Sequence, residues 1–409
     1  MKKILSLLFV LICVSAMAQD PAHVKWSNTS GIPDEDGILS IEQKPFDGNG
    51  FAISKLFLKN RTEDRQRSLK DIAECNFNMT DVTFEDKQDF ELCEQLGVGV
   101  MVSTPTKNKQ TDDWLAMSDE EIDAFVKQMV EQGGNSKAIV GYHICDEPSV
   151  LAFPKLAVAV AAVRKYAPGK IAFINLYPNY ATLWTMDQVK SQLGAKTYQE
   201  YLEQFVEIVK PDIISYDNYM VQFSMDQRDR KSMAKYYTNL MAVHEAAIKN
   251  NLPWWNVVSS NQIRFYTVIP TLDNMMLQAY TSLAAGAGGV SWFTYWQGGY
   301  DYAPINNNEQ RTNTWYALRE VNRHLSILGP IIKTLKSTGV YFTDSTIAPS
   351  LPLLPGKIVQ EVQCDEPLMI GEFESEKGNR YVMVVNLSLE RSARFILKTD
   401  VENERLFVV

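Results

Sequence analysis

The sequence predicts an α/β fold, a (β/α)₈ barrel followed by a small antiparallel β-domain. Three observations predict it. Short β-rich runs alternate with amphipathic helical runs from about residue 49 to 335. Several of those β-rich runs are apolar almost throughout, as parallel strands covered on both faces are. Eight such units in roughly 285 residues match the size of a (β/α)₈ barrel. A doubly wound open sheet is the competing fold, but the chain has neither a GxGxxG nor a Walker motif.

In chain order, residues 1–18 read as a secretory signal. Lys2 and Lys3 precede an apolar core, Ile4–Val14, and Ala16-Met17-Ala18 supplies a small-residue cleavage pattern. The apolar run is too short to remain as a membrane span, so a secreted or periplasmic protein without membrane insertion is expected. Residues 19–48 are expected to be irregular. The barrel, residues 49–335, is expected to use strands Gly50–Leu56, Asn76–Val82, Val98–Ser103, Ala138–Asp146, Lys170–Tyr177, Asp212–Tyr219, Trp254–Ser259 and Gly289–Trp296. Helices between them carry clear marks. Ser118-Asp119-Glu120-Glu121 is a capping box before Ile122, Phe125 and Met129. Leu156, Val160 and Val163 share a helical face, as do Leu202, Phe205 and Val209, and Leu318, Val321, Leu325 and Leu328. Residues 336–409 break into short alternating runs split by turn residues such as Lys377-Gly378-Asn379, which predicts the β-domain.

Composition excludes several function classes. The formal net charge of −9 repels phosphate backbones and anionic lipid, so nucleic acid is not an expected partner. The four cysteines beyond the signal, Cys75, Cys93, Cys145 and Cys364, fit neither a disulfide framework nor a zinc site. No histidine cluster, Gly-x-Ser-x-Gly elbow or Cys–His pairing is present, so neither metal nor organic cofactor is implied.

In a barrel, the strand C-termini carry the chemistry. Strand four closes on Asp146-Glu147-Pro148. A Glu held there against apolar and aromatic walls would have a raised pKa, which suits a general acid near neutral pH, and a neighbouring Asp146 charge would push the two apart. The bland alternatives are a helix cap or a salt bridge at the βα junction. Strand six ends in Ser215-Tyr216-Asp217-Asn218-Tyr219, where Asp217 is a candidate partner carboxylate and Tyr216 and Tyr219 candidate hydrogen-bond donors. Strand eight is dense in aromatics, with Trp292, Tyr295 and Trp296 as candidates to cover the apolar face of a sugar ring. Tyr142, Tyr177 and Trp255 extend that wall, and Asn175, Asn256 and Gln262 are amides suited to hydroxyl groups. Oligosaccharide or polysaccharide is the expected partner.

These motifs resemble the glycoside-hydrolase superfamily of (β/α)₈ TIM barrels, and more closely secreted glycoside-hydrolase-like barrels with a GY…DEPS motif on strand four. The matching residues are Gly141-Tyr142-His143-Ile144-Cys145-Asp146-Glu147-Pro148-Ser149, Ile174-Asn175-Leu176-Tyr177-Pro178, Ser215-Tyr216-Asp217-Asn218-Tyr219 and Phe293-Thr294-Tyr295-Trp296. The resemblance implies glycoside hydrolysis with Glu147 as acid/base. Its retaining members carry a second Glu at the end of strand seven, whereas Trp254–Gln262 here contains no carboxylate. Adjacent Asp146-Glu147 on strand four, Tyr216-Asp217 on strand six and Trp on strand eight resemble hexosaminidases and chitinases, which implies a substrate-assisted scheme with Asp146 or Asp217 orienting an acetamido group; an inverting Glu147–Asp217 pair with a water between them is the other alternative. A non-catalytic glycan-binding barrel is the alternative from another class.

Overall fold

The computed structural model describes residues 52–55, 62–83, 87–103, 111–183, 191–223 and 230–400, together with Leu11–Ile12, which pair antiparallel with Val382 and Tyr381. The remainder of the expected signal segment, residues 19–48 and the expected final strand at Leu406–Val409 lie outside the described residues.

Eight parallel strands form one sheet: β1 (Ala52–Lys55), β2 (Met79–Thr83), β3 (Gly99–Ser103), β4 (Ile139–Asp146), β5 (Ile171–Leu176), β6 (Ile214–Asp217), β7 (Trp254–Ser259) and β8 (Gly289–Phe293). Their order is β1-β8-β7-β6-β5-β4-β3-β2, so sequential strands lie side by side and β1 pairs with β8. The sheet curls, bringing β1 near β2; no ladder joins those two among the described residues. The helices are α1 (Thr62–Glu74), α2 (Lys87–Leu96), α3 (Thr111–Leu115), α4 (Asp119–Gly133), α5 (Phe153–Tyr166), α6 (Tyr198–Gln204), α7 (Arg230–Asn250), α8 (Leu272–Ala284) and α9 (Asn313–Lys333). Ser118 caps α4 by accepting from the Glu121 amide at 3.2 Å, and the Glu121 carboxylate accepts from the Ser118 amide at 2.7 Å. Most strands are shorter than the sequence predicts, because the chain leaves the ladder early. Strand six stops at Asp217 and strand eight at Phe293, so Tyr219 and Trp296 sit in loops.

Side-chain alternation divides the sheet residues into two sets. Met79, Met101, Val140, Ile171, Phe173, Ile213 and Trp255 form a buried cluster on the concave face. His143 meets Phe173 edge-on at 5.1 Å, and Phe173 meets Trp255 at 5.7 Å. The other set packs into the large core beneath the helices. Gly141 is required by this arrangement, since a Cβ there would lie 2.5 Å from the Ile171 carbonyl oxygen and 2.9 Å from Met101 Sδ. Gly141→Ala should therefore cost about 3 kcal/mol through forced strand separation. A denaturation midpoint equal to that of the unaltered protein would contradict this packing account.

After α9, which continues through Pro330, the chain forms β9 (Leu335–Phe342), β10 (Val359–Cys364), β11 (Leu368–Ser375), β12 (Arg380–Asn386) and β13 (Phe395–Thr399). Strands β9, β11 and β12 make one antiparallel sheet, and β10 and β13 make a second. Strand β10 carries no separate signal in the sequence, because its polar residues Gln360, Glu361 and Gln363 interrupt its apolar ones. One face of the larger sheet contributes Phe342, Met369, Phe373, Met383 and Val385 to the main core. Ile370, Val382 and Val384 instead join Ile358, Val359 and Ala393 in a small second core. Glu372 is fully buried, and its carboxylate accepts from the Lys357, Ile358 and Val359 amides at 2.9, 3.0 and 2.7 Å. Glu372→Ala strands three donors and should destabilise the protein by about 3 kcal/mol, read from urea unfolding.

Candidate active site

Strand parity and the ends of β4, β5 and β6 build the site. Asp146 ends β4 facing the concave side, and its Oδ1 accepts from Asn175 Nδ2 on β5 at 3.1 Å. Asn175 Oδ1 accepts in turn from Ser215 Oγ on β6 at 3.0 Å. This chain of short polar groups fixes three strand ends in register. Asp217, two residues beyond Ser215, faces the same side and is 4% exposed.

Glu147 follows immediately, half-buried, with its amide donating to the Asn175 carbonyl at 2.8 Å. Its φ of 48° lies in the left-handed region, which L residues other than Asn and Asp rarely adopt. That turn ends the strand and places the carboxyl group where Asp146 and Asp217 both act on it. Burial, and then the Asp146 charge, push the Glu147 pKa up to about 7, and the hydrogen bond from Asp217 opposes them. Asp217 is driven well above the usual carboxylate range by burial and by the charges of Glu147 and Asp146. Tyr219 opposes that rise in the Asp217 pKa, while Asp217 Oδ1 is buried without a hydrogen-bond partner.

Tyrosines rim this pair. Tyr177 feels the Glu147 charge and, with burial as the larger cause, its phenol is pushed up to about 12. Tyr180 is raised by burial and by Asp217, and its hydroxyl accepts from the Tyr219 amide at 3.4 Å. Tyr198 donates to the Tyr177 carbonyl at 3.0 Å. Beneath lies His143, which burial holds below its ordinary value against the opposing pull of Asp146 and Asp81. It is a neutral interior histidine.

The sheet brings Glu147, Asp146, Asp217, Asn175, Tyr177 and Tyr219 together. Several other predicted binding residues are placed elsewhere. Tyr142 is 2% exposed and reaches α4 beside Gly133. Tyr216 is fully buried against Trp254, at 6.2 Å between rings. Asn256 donates to Ser282 Oγ on α8 at 3.0 Å, and Trp292 donates to Asn322 Oδ1 on α9 at 2.9 Å. Tyr295 donates to Asp71 on α1 and accepts from Trp315 Nε1 at 3.0 Å. Trp255 lies on the concave side, but deep in the apolar cluster. Gln262 spends its side-chain amide on the Thr267 carbonyl at 2.6 Å. The reason is common to Tyr142, Tyr216, Asn256 and Trp292: neighbours of an inward residue point outward. Trp296 is half-buried in the loop after β8.

Sequence reasoning missed Asp81, Ser215 and Tyr198. Asp81 is the only charged residue of its strand, Met79–Thr83, and Ser215 shares parity with Asp217, so both had a readable signal. Tyr198 had none, since it opens a helix far along the chain. Among the described residues, no group of three His, Cys, Asp or Glu is placed to hold a metal ion, and no helix is long and apolar enough to cross a membrane.

No family model and no curated protein matches the chain. Solved structures do. A β-galactosidase from the psychrophilic Marinomonas ef1 superimposes with a TM-score of 0.50 at 10% identity, over 69% of this chain and 60% of that one. A cold-adapted β-galactosidase from Rahnella sp. R3 gives 0.52 at 11% identity, over 69% of this chain and 57% of that one. Identities this low show a shared fold alone, and the chain spans under two thirds of either enzyme's length.

Proposed function

We propose that the protein is a secreted or periplasmic glycoside hydrolase whose curled sheet closes as a (β/α)₈ barrel, with Glu147 as proton donor to the glycosidic oxygen. One observation carries this reading: a half-buried acid at the end of β4, its pKa raised to about 7 by burial and by Asp146, near a buried second acid and among tyrosines. An acid with that proton affinity is half protonated at neutral pH, near the optimum for general acid catalysis. The fold shared with two β-galactosidases supports a carbohydrate substrate.

The polar surroundings of Glu147 bear on mechanism. Substrate assistance needs an acceptor for an acetamido N–H near the acid, and Asp217 supplies one. Asp217 Oδ1, buried and unpartnered, accepts the N–H of a 2-acetamido group and turns its carbonyl oxygen toward the anomeric carbon. That oxygen forms a bond to the anomeric carbon as the glycosidic bond breaks and Glu147 protonates the departing oxygen. Water then opens the cyclic intermediate, and Glu147 recovers its proton.

The test is a panel of aryl glycosides with 2-acetamido or 2-hydroxy groups, together with polysaccharides. Preferential turnover of the 2-acetamido member is expected; equal turnover of its 2-hydroxy counterpart would overturn substrate assistance. On the responsive substrate, kcat/KM should hold below pH 7 and fall as pH rises through about 7, as Glu147 loses its proton. Asp146→Asn removes a charge that favours protonated Glu147, so the alkaline midpoint should move to lower pH. An unmoved midpoint would assign that limb to another group. The second reading, a glycan-binding protein without catalysis, is favoured by the missing carboxylate on β7. Glycan retention with every substrate left intact would select it.

A further inference from the structure

The loop after β7 displays two aromatic side chains that the acid pair does not use. Phe265 is 87% exposed and Tyr266 65% exposed, the two rings meeting edge-on at 5.2 Å. Phe223, at the end of the 3₁₀ turn Met220–Phe223 after β6, joins them at 6.4 Å from Tyr266. Water-facing rings in such a cluster are an unsatisfied apolar surface.

The scaffold under them is rigid. Buried Gln222 accepts from the Ile263 amide at 2.9 Å and from Thr267 Oγ1 at 3.1 Å, and donates to the Asn261 carbonyl at 2.5 Å. The Val268 amide donates back to the Gln222 carbonyl at 2.8 Å, and Gln262 pairs through its backbone with Asp301 in the loop after β8. The rings are thus held in place by loops that leave the same end of the sheet as Asp217. Tyr219, which acts on the Asp217 pKa and stacks on Phe293 at 5.2 Å, immediately precedes the turn that ends at Phe223.

We propose that Phe223, Phe265 and Tyr266 form an outer subsite for a further pyranose ring of a neutral polysaccharide whose cleaved bond lies at Glu147. Its connection to cleavage rests on the glycosidase reading; the binding itself does not. Pyranose rings offer flat C–H faces that such rings cover, with hydroxyl groups left to water and to the phenol of Tyr266. The three rings are uncharged, as a neutral polymer is, and the exposed Arg264 beside Phe265 can donate to hydroxyl groups of the same polymer.

Affinity gel electrophoresis in the Glu147→Gln background tests this without loss of ligand to cleavage. The gels contain hydroxyethylcellulose, galactomannan, xylan, soluble β-1,3-glucan or glycol chitin. Retardation by at least one polymer is expected, with an affinity about tenfold weaker in Phe265→Ala/Tyr266→Ala at an unchanged melting temperature. Equal retardation of the double variant, or no retardation of its parent by any polymer, overturns the proposal. So does a dimer, seen by sedimentation, that the double variant dissolves while no polymer retards the parent. Product release by the unaltered chain is scored separately, so binding can stand where the glycosidase reading fails.

Discussion

Glu147→Gln should lower turnover of the responsive glycoside by a factor of about 10²–10⁴, the usual contribution of a positioned general acid. The amide keeps the shape and can still accept a hydrogen bond from Asp217, but it has no proton to deliver to a leaving alkoxide. The loss should therefore fall on kcat and track the leaving group. Aryl glycosides with acidic phenols need little protonation and should lose least, whereas alkyl glycosides and polymers should lose the most. Full turnover of an alkyl glycoside by Glu147→Gln would remove Glu147 from the chemistry. A uniform loss across leaving groups would instead make it a binding residue.

Asp217→Asn should do two opposite things: reduce turnover by about 10²-fold or more and raise stability at neutral pH by about 1 kcal/mol. The sign follows from linkage. Asp217 holds its proton far more tightly folded than unfolded, so the unfolded chain ionises first as pH rises. The cost to folding is absent below the ordinary Asp value near 3.9 and grows as pH rises above it, until the folded pKa is reached. Asparagine removes that term, and its amide can donate to Glu147 while its oxygen accepts from Tyr219. Melting temperatures of the two proteins should converge at pH 3 and separate by pH 7. Parallel curves over that range would show that Asp217 is not strained by its charge.

The meeting of Glu147 with Asp217 was legible in the sequence because consecutive strand ends of a curled parallel sheet converge, so two carboxylates closing strands four and six must be near one another. The aromatic wall was not read correctly, and the reason is parity. If Asp217 faces inward, Tyr216 must face out; if Phe293 faces inward, Trp292 must face α9. Aromatic density in β8 therefore reports the sheet–helix interface, where Trp292 and Tyr295 find polar partners on α9 and α1. Strand four conceals its own parity. A register shift between His143 and Cys145 against β5 lets His143 and Asp146 both face inward although three residues apart, which no alternating pattern announces. The exposed pair Phe265-Tyr266 had no periodic signal either, since it lies in a loop whose shape is set by a buried glutamine from the preceding unit.

The close seating of Gly371 has a consequence for how the molecule comes apart. A Cβ at that position would lie 2.1 Å from the Ala284 carbonyl oxygen at the end of α8, and Phe342 meets Tyr237 of α7 at 5.4 Å. The two architectural units consequently share a large hydrophobic core, beside the small second core of the β-domain, and should unfold together. Calorimetry should record a single endotherm, and a chain cut after residue 334 should uncover the apolar flank of α8 and aggregate in place of yielding a smaller soluble protein.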